Sequence, residues 1–407
     1  MWKVRNNNSL LTNSNRYFKS TFKFNKLVVF LLILIIFSGI YSLIQCNCAS
    51  LEETISQELL NIDFSRLNEL LNDTNQNVFK ENNFYDLVSN IIQGKTVVSF
   101  NSVFSFILSA FLNKFYILIP ALALITIIAV FSALIDSLGI VSFNTGISDI
   151  IYMVCFCAVI SIIIGFTYDL INDVKNTIFF LKNMIDIMSP IIVALMIAGG
   201  GTVSATIYQP TMVFMCNFVA TVFVYLILPI VSLMVLFSVI SNFSSKIKLK
   251  KFSDLFRSIC KWVIGGISAI FGLLITVQGL TASAIDGMSL KVLKYTISSS
   301  LPIVGSLVGG SVDFILAGAV MIKCGIGFAG IILALFNVLT PLMSILSLQF
   351  FLKLLAAVLE PFAHSNLINF FSDLSCSLNY LNTILITFGL MLFILLVLVI
   401  ISINVVV

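Results

Sequence analysis

The side chains able to do chemistry are few and scattered. The 407 residues include one histidine, His364, and eight cysteines. A lone histidine leaves no His-based acid–base pair and no His-rich metal site. Only Cys46-x-Cys48 and Cys155-x-Cys157 lie close in sequence. Neither pair has the spacing of a zinc site, and most of the other cysteines fall in apolar runs, where cysteine behaves as a small buried apolar residue. There is no Walker phosphate loop, HExxH, G-x-S-x-G or dinucleotide fingerprint. Gly199-Gly200-Gly201 is not followed by Lys-Ser/Thr, so it is no phosphate cradle. The residues therefore point to no catalytic centre, no cofactor and no metal, and any energy for transport must come from a partner or a gradient.

Three charged groups carry other chemistry. Asp313 sits inside an apolar segment with Lys323 near its end. An ionisable residue at membrane depth is a functional-site hypothesis by default; Asp313 could pair with Lys323, line a polar cavity or lie at an interface. Asp286, Lys291 and Lys294 fall in a polar stretch that reads as a solvated or interfacial face. Residues 246–261, KIKLKKFSDLFRSICK, gather Lys246, Lys248, Lys250, Lys251, Arg257 and Lys261 against Asp254. Such a basic segment suits the cytoplasmic face and its anionic headgroups, or a cytoplasmic partner. No aromatic-basic platform accompanies it, so nucleic acid is not an expected partner.

The elements that must position these groups are membrane helices. The chain is 59% hydrophobic and 10% charged, with mean hydropathy +1.11, against about 45–50% and about 25% in soluble domains. The apolar runs are continuous and about twenty residues long, the length of a spanning helix rather than a barrel strand. The expected class is an all-α polytopic membrane protein.

Residues 1–26 form a basic extension with no acid. The apolar run 27–45 that follows is a signal peptide or a signal anchor, with the N-terminus in the cytoplasm. Residues 46–102 are acidic; eight acids from Glu52 to Asp86 face Arg66, Lys80 and Lys95. Leu59, Ile62, Leu67, Leu70 and Leu71 recur there at roughly helical spacing, which predicts short amphipathic helices outside the cytoplasm. These read as a docking surface or as a solvated layer on the membrane. Residues 103–407 form the membrane domain, with candidate helices at 115–135, 150–168, 211–236, 262–280, 324–348 and 381–403. With the first segment this makes about seven crossings.

Two further apolar stretches, 187–207 and 302–322, are rich in Gly and Ser. They carry Pro190 with Gly199, Gly200 and Gly201, and Pro302 with Gly305, Gly309, Gly310 and Asp313. Pro190 and Pro302 are 112 residues apart, as are Pro229 and Pro341. At that offset 6 of 15 residues over 181–195 are identical, which suggests repeat units of about 150–261 and 262–373. Broken apolar segments at matching positions are the sequence pointer to a transport path; close helix packing explains small residues equally. Four crossings return the basic loop to the cytoplasm only if 187–207 does not cross. That makes 187–207, and by repetition 302–322, re-entrant or interfacial, and makes the two units parallel.

Ser189–Phe218 (SPIIVALMIAGGGTVSATIYQPTMVFMCNF) and Thr276–Gly305 (TVQGLTASAIDGMSLKVLKYTISSSLPIVG) resemble the central segments of the stage III sporulation protein AE family, and Val320–Leu335 continues the resemblance. The order of signal-like segment, acidic region and hydrophobic body agrees over roughly 27–403; the basic 1–26 extension departs from the pattern. The resemblance implies a non-enzymatic membrane subunit of the channel-like complex that joins mother cell and forespore during endospore formation. It also implies a place in the mother-cell membrane around the forespore. Implied partners are other stage III sporulation proteins, including a secretion-type ATPase and ring-forming proteins, and indirectly stage II sporulation protein Q. It brings no catalytic residues. The residues leave two alternatives open: a self-sufficient secondary transporter, and a structural anchor without a pore of its own.

Overall fold

The computed structural model describes residues 59, 62–73, 83–95, 100–137, 145–243, 249–300, 305–361 and 363–401. All lie in one compact unit, Ser50–Val407. The chain is an all-α polytopic membrane protein. Two short helices, α1 (Ser65–Asp73) and α2 (Phe84–Ile92), precede the long ones: α3 (Phe100–Ser137), α4 (Thr145–Ala198), α5 (Thr202–Val222), α6 (Leu228–Phe243), α7 (Lys250–Ser300), α8 (Gly305–Leu359) and α9 (Ser365–Ile401). A π-turn, Phe223–Ile227, joins α5 to α6. Proline at 229 can donate no backbone hydrogen bond and crowds the carbonyl four residues earlier. A π-turn placed just before it relieves that conflict without ending the helix.

Six stretches are long and apolar enough to cross a membrane: Asn101–Leu134, Ile150–Ala198, Thr202–Phe243, Lys251–Gln278, Leu316–Leu359 and Ser365–Ile401. Each of the six candidate helices read after the first segment falls on one of them, with 115–135, 262–280 and 381–403 running one or two residues past its end. Helix is the expected outcome, because in lipid each backbone group must be satisfied within its own segment.

Side-chain contacts fix an alternating antiparallel bundle. Phe106 meets Phe336 and Phe115 meets Phe350, so α3 and α8 run parallel. Gly199 faces Val320 and Gly330 faces Met188, so α4 opposes α8. Gly327 faces Ile400 and Gly389 faces Val338, so α9 opposes α8 as well. Phe223 with Phe388, and Asn242 with Asp373, set α5–α6 against α9. Gln278 with Thr211, and Phe252 with Phe237, set α7 against α5–α6. Helix α4 with α5–α6 and α7 with α8 thus form two hairpins of the same sense.

Helix α8 is the core element. It packs on α2, α3, α4, α7 and α9. Its glycines let neighbours approach closely: a Cβ at Gly325 would meet Ile92 at 2.8 Å and Val88 at 3.1 Å, and one at Gly327 would meet Ile400 at 2.7 Å. Small residues at such crossings let packing replace the hydrophobic drive that lipid does not supply. The acidic region is anchored in the same way. Leu59, Leu67, Leu70, Leu71, Phe84, Leu87 and Val88 are buried. The Phe84 amide donates to Asn68 Oδ1 at 2.7 Å, tying α2 to α1. So α1, which packs on α4, and α2, which packs on α8, spend their apolar faces on the bundle and keep Glu69 and Asp86 outward.

The structure differs from the sequence reading in two respects. The stretch 187–207 is not irregular throughout: α4 remains helical through Pro190 to Ala198 and α5 begins at Thr202. Only Gly199–Gly201 leave the helix. Gly305, Gly309, Gly310 and Asp313 all lie on helical backbone, in α8, while Pro302 falls outside the described residues. A proline inside a packed helix forfeits one hydrogen bond, which neighbouring helices tolerate.

The apolar runs also do not share one level. The uncharged run 262–280 of α7 lies beside α5–α6 from about Thr211 to about Ile230, as the Gln278–Thr211 and Phe256–Phe237 contacts show. The run 150–168 of α4 lies farther along, where Tyr152 and Phe156 meet Asn242, Phe243 and Phe370.

Candidate functional site

The glycine hinge is a built structure. The Gly200 amide donates to the Ile197 carbonyl at 2.9 Å and the Gly201 amide reaches back to the Met196 carbonyl at 2.8 Å. Gly200 has φ +83°. This pair of bonds with a left-handed residue between them is the Schellman ending of a helix, and glycine adopts it without Cβ strain. Gly201 then serves as the N-cap of α5. Gly199 is buried, and a Cβ there would lie 3.3 Å from Val320 of α8 and 3.2 Å from the Leu195 carbonyl. The hinge is therefore a tight reversal pressed against α8. Pro190 is exposed on α4, two turns before it.

The two glycine-rich clusters do not come to one level. Gly199 meets α8 at Val320, fifteen positions after Gly305; at 1.5 Å per residue that is about 22 Å along the helix. Asp313 and Lys323 stand ten positions apart on α8, about 15 Å along its axis. That spacing does not support the pairing considered from the sequence. Lys323 is fully buried, and its Nζ has no hydrogen-bond partner among the described residues.

Of the basic segment, Lys246 and Lys248 lie outside the described residues and Lys250 opens α7. Lys251 and Lys261 are exposed. Arg257 is mostly covered: it contacts Asp254 at 3.3 Å and donates to the Asp373 carbonyl at 3.5 Å. Arg257 therefore belongs to the packing between α7 and α9, where Asn242 donates to Asp373 at 3.3 Å and to the Ser238 carbonyl at 2.8 Å. It is a structural cation more than a docking one.

The sequence reading missed the polar outer face of α4. Lys114 of α3 pairs with Asp173 at 3.9 Å, and Lys182 pairs with Asp186 at 3.8 Å. Asn217 of α5 donates to Asp186 at 3.1 Å. Asp169, Lys175, Asn176 and Asn183 are exposed beside them. The signal was present as polar residues at 169, 172, 173, 176 and 183, roughly one helical face between two apolar runs. Exposed pairs of this kind add little stability. An ionised side chain at mid-bilayer costs about 2.5–3.5 kcal/mol on insertion scales. Stability does not explain the face.

A cavity of about 310 Å³ opens between α3, α4 and the start of α9. It is lined by Ile128, Ala129, Ser132, Tyr152, Cys155 and His364 among others. His364 stands edge-on to Tyr152 with ring centroids 5.0 Å apart. Among the described residues no group of three His, Cys, Asp or Glu is placed to hold a metal ion.

Outside the membrane helices, Asp63 Oδ1 accepts the Ser65 amide at 2.9 Å at the start of α1. Hydrogen bonding from Ser65 holds this carboxyl below the usual aspartate value.

No solved structure matches the chain. A curated relative, "Stage III sporulation protein AE" of Bacillus subtilis (strain 168), is 24% identical over 272 residues, covering 67% of this chain and 68% of that one. The family model for stage III sporulation protein AE matches residues 82–403, nearly all of the described helices. This chain belongs to the stage III sporulation protein AE family.

Proposed function

We propose that the chain is a non-enzymatic membrane subunit of the mother cell-to-forespore transport complex of endospore formation, and that the hinge end of its bundle borders a water-filled path. Family membership supports a role in sporulation. The observation that carries the conduit reading is the hinge itself. A buried glycine reversal, Gly199–Gly201, joins two helices that are each far longer than a bilayer requires: 54 residues in α4 and 42 in the spanning stretch Thr202–Phe243. At 1.5 Å per residue these are about 81 and 63 Å long, against about 30 Å of hydrocarbon. Such helices extend beyond the lipid and can reach partners there.

In this reading the basic end, around Lys251 and Lys261, faces the cytoplasm and its secretion-type ATPase, following the positive-inside rule. The acids of α1 and α2 face the ring-forming partners of the intermembrane space, with stage II sporulation protein Q beyond them. The host membrane is the mother-cell membrane around the forespore. A chain acting within such a complex drives no solute uphill alone. Purified protein in liposomes should accumulate no solute against its gradient when an ion gradient is imposed, whereas deletion of the chain should abolish heat-resistant spores. Uphill accumulation by the purified chain would replace this reading with a self-sufficient transporter.

A further inference from the structure

Where α4 passes the level of the apolar belt, its outer face is polar. The level follows from contacts. The run 262–280 of α7 has Lys261 just before it and Asp286 beyond it, so it fixes where α7 can cross lipid. It lies beside α5–α6 from about Thr211 to about Ile230. The Asp186–Asn217 bond and the Gly199–Gly201 reversal then place α4 from about 174 to about 192 at that same level. A flat bilayer that covers the α7 run therefore covers the charged stretch of α4, not its apolar run 150–168.

We propose that the face of α4 running from Asp169 to Asp186 lines the water-filled path at bilayer depth, and that further copies of this chain close that path. The inference rests on the conduit reading above. The face extends seventeen positions, about 26 Å, close to the roughly 30 Å of a hydrocarbon core. Its midline carries Asn172, Asn176 and Asn183, with lysines along one border and Asp169 and Asp173 along the other; the half-buried Phe179 and Phe180 interrupt it between Asn176 and Asn183. Charged and amide side chains at this depth face water or protein, not acyl chains. With Lys114 the face balances three lysines against three aspartates. It suits small hydrophilic solutes without selection by charge.

A single chain shows this face on its outside, so one chain encloses no lumen. Apolar ridges border it on both sides. On α3, Leu108 and Leu112 are 47% and 50% exposed; on α5, Phe214 and Phe218 are 66% and 41% exposed. An axial ring of identical chains brings every polar face to the axis and lets the ridges of adjacent copies seal against each other. A ring of copies is the common way for one repeated surface to close.

The test is thiol labelling in membranes from sporulating cells, with Asn176→Cys, Asn183→Cys, Leu112→Cys and Phe218→Cys compared above the wild-type background. A membrane-impermeant maleimide should label both asparagine positions at least tenfold faster than both ridge positions. Two differently tagged copies of the chain should also co-purify in mild detergent. Asparagine positions no faster than the ridges overturn the inference, as does failure of the two tags to co-purify. Thr202→Cys at the hinge separates the layers of the argument. If it labels while the asparagine positions do not, this inference alone falls; if it too is silent, the conduit reading beneath it falls.

Discussion

Gly200 holds φ at +83°, and its neighbours close the helix around it, with Gly201 donating to Met196 at 2.8 Å. Any L side chain there takes on left-handed strain of about 1–2 kcal/mol, with asparagine the mildest and β-branched residues the worst. The strain is local, and it falls on the equilibrium between a closed and an opened hinge. A change of 1.4 kcal/mol is tenfold in such an equilibrium. Gly200→Ala should therefore raise hinge opening about tenfold. Gly200→Val, near 2 kcal/mol, should raise it about thirtyfold, and Gly200→Asn only a few-fold. Hydrogen exchange of a peptide spanning 195–203 in detergent reads this directly, because the Gly201 amide is protected only while the hinge is closed. Spore counts should follow the same order while membrane levels of the protein hold. Exchange unchanged in Gly200→Val, or Asn as disruptive as Val, refutes the claim that the left-handed cap holds the hinge.

Other perturbations probe the packing around it. Gly325→Leu drives a side chain into Ile92 and Val88; overpacking of about 1–3 kcal/mol should loosen α2, seen as faster proteolysis between 59 and 95, and Ile92→Ala should partly restore resistance. Lys323→Met replaces a buried amine without a hydrogen-bond partner among the described residues by an apolar chain of similar size. It should raise thermal stability by about 1–3 kcal/mol, and a fall in melting temperature would show that the amine is satisfied. The Asp63 carboxyl titrates below its ordinary value because it accepts hydrogen bonds in the folded chain. Its contribution is therefore present above the unfolded value of 3.8 and is lost as pH falls through the lower folded value. Ser65→Ala should move the carboxyl resonance midpoint back toward 3.8; an unmoved midpoint would remove Ser65 as the cause.

Much of the fold is legible in the residues. Uncharged runs between Lys261 and Asp286, or after Asp373, leave a chain of this composition few choices but spanning helices. Leu59, Leu67, Leu70 and Leu71 announce the buried face of an amphipathic segment before any partner is known. What that spacing does not disclose is the surface the face packs on, because Gly325 becomes a receptor for Ile92 only once α8 is in place. The hinge is half legible. Three glycines mark a reversal, but only hydrogen bonds from 200 and 201 back into α4 show that Pro190 does not end the helix. The depth of the α4 polar face is invisible in sequence for a different reason. In sequence, residues 169–186 are only a polar interval between the apolar runs 150–168 and 187–207. Only lateral contacts, Asp186 with Asn217 and Gln278 with Thr211, show that the neighbours are at their most apolar there. Arg257 misleads in the opposite direction: it belongs by spacing to a basic docking loop, yet contact with Asp254 and the Asp373 carbonyl draws it into the packing between helices.

The central claim is that the hinge end borders water inside a membrane assembly. The direct measurement is the labelling rate of Thr202→Cys, an exposed first residue of α5 that needs no special backbone angle, with an impermeant thiol reagent in membranes from sporulating cells. The account predicts labelling without detergent as fast as after detergent is added. A cysteine at 202 that reacts only after detergent is added would contradict it.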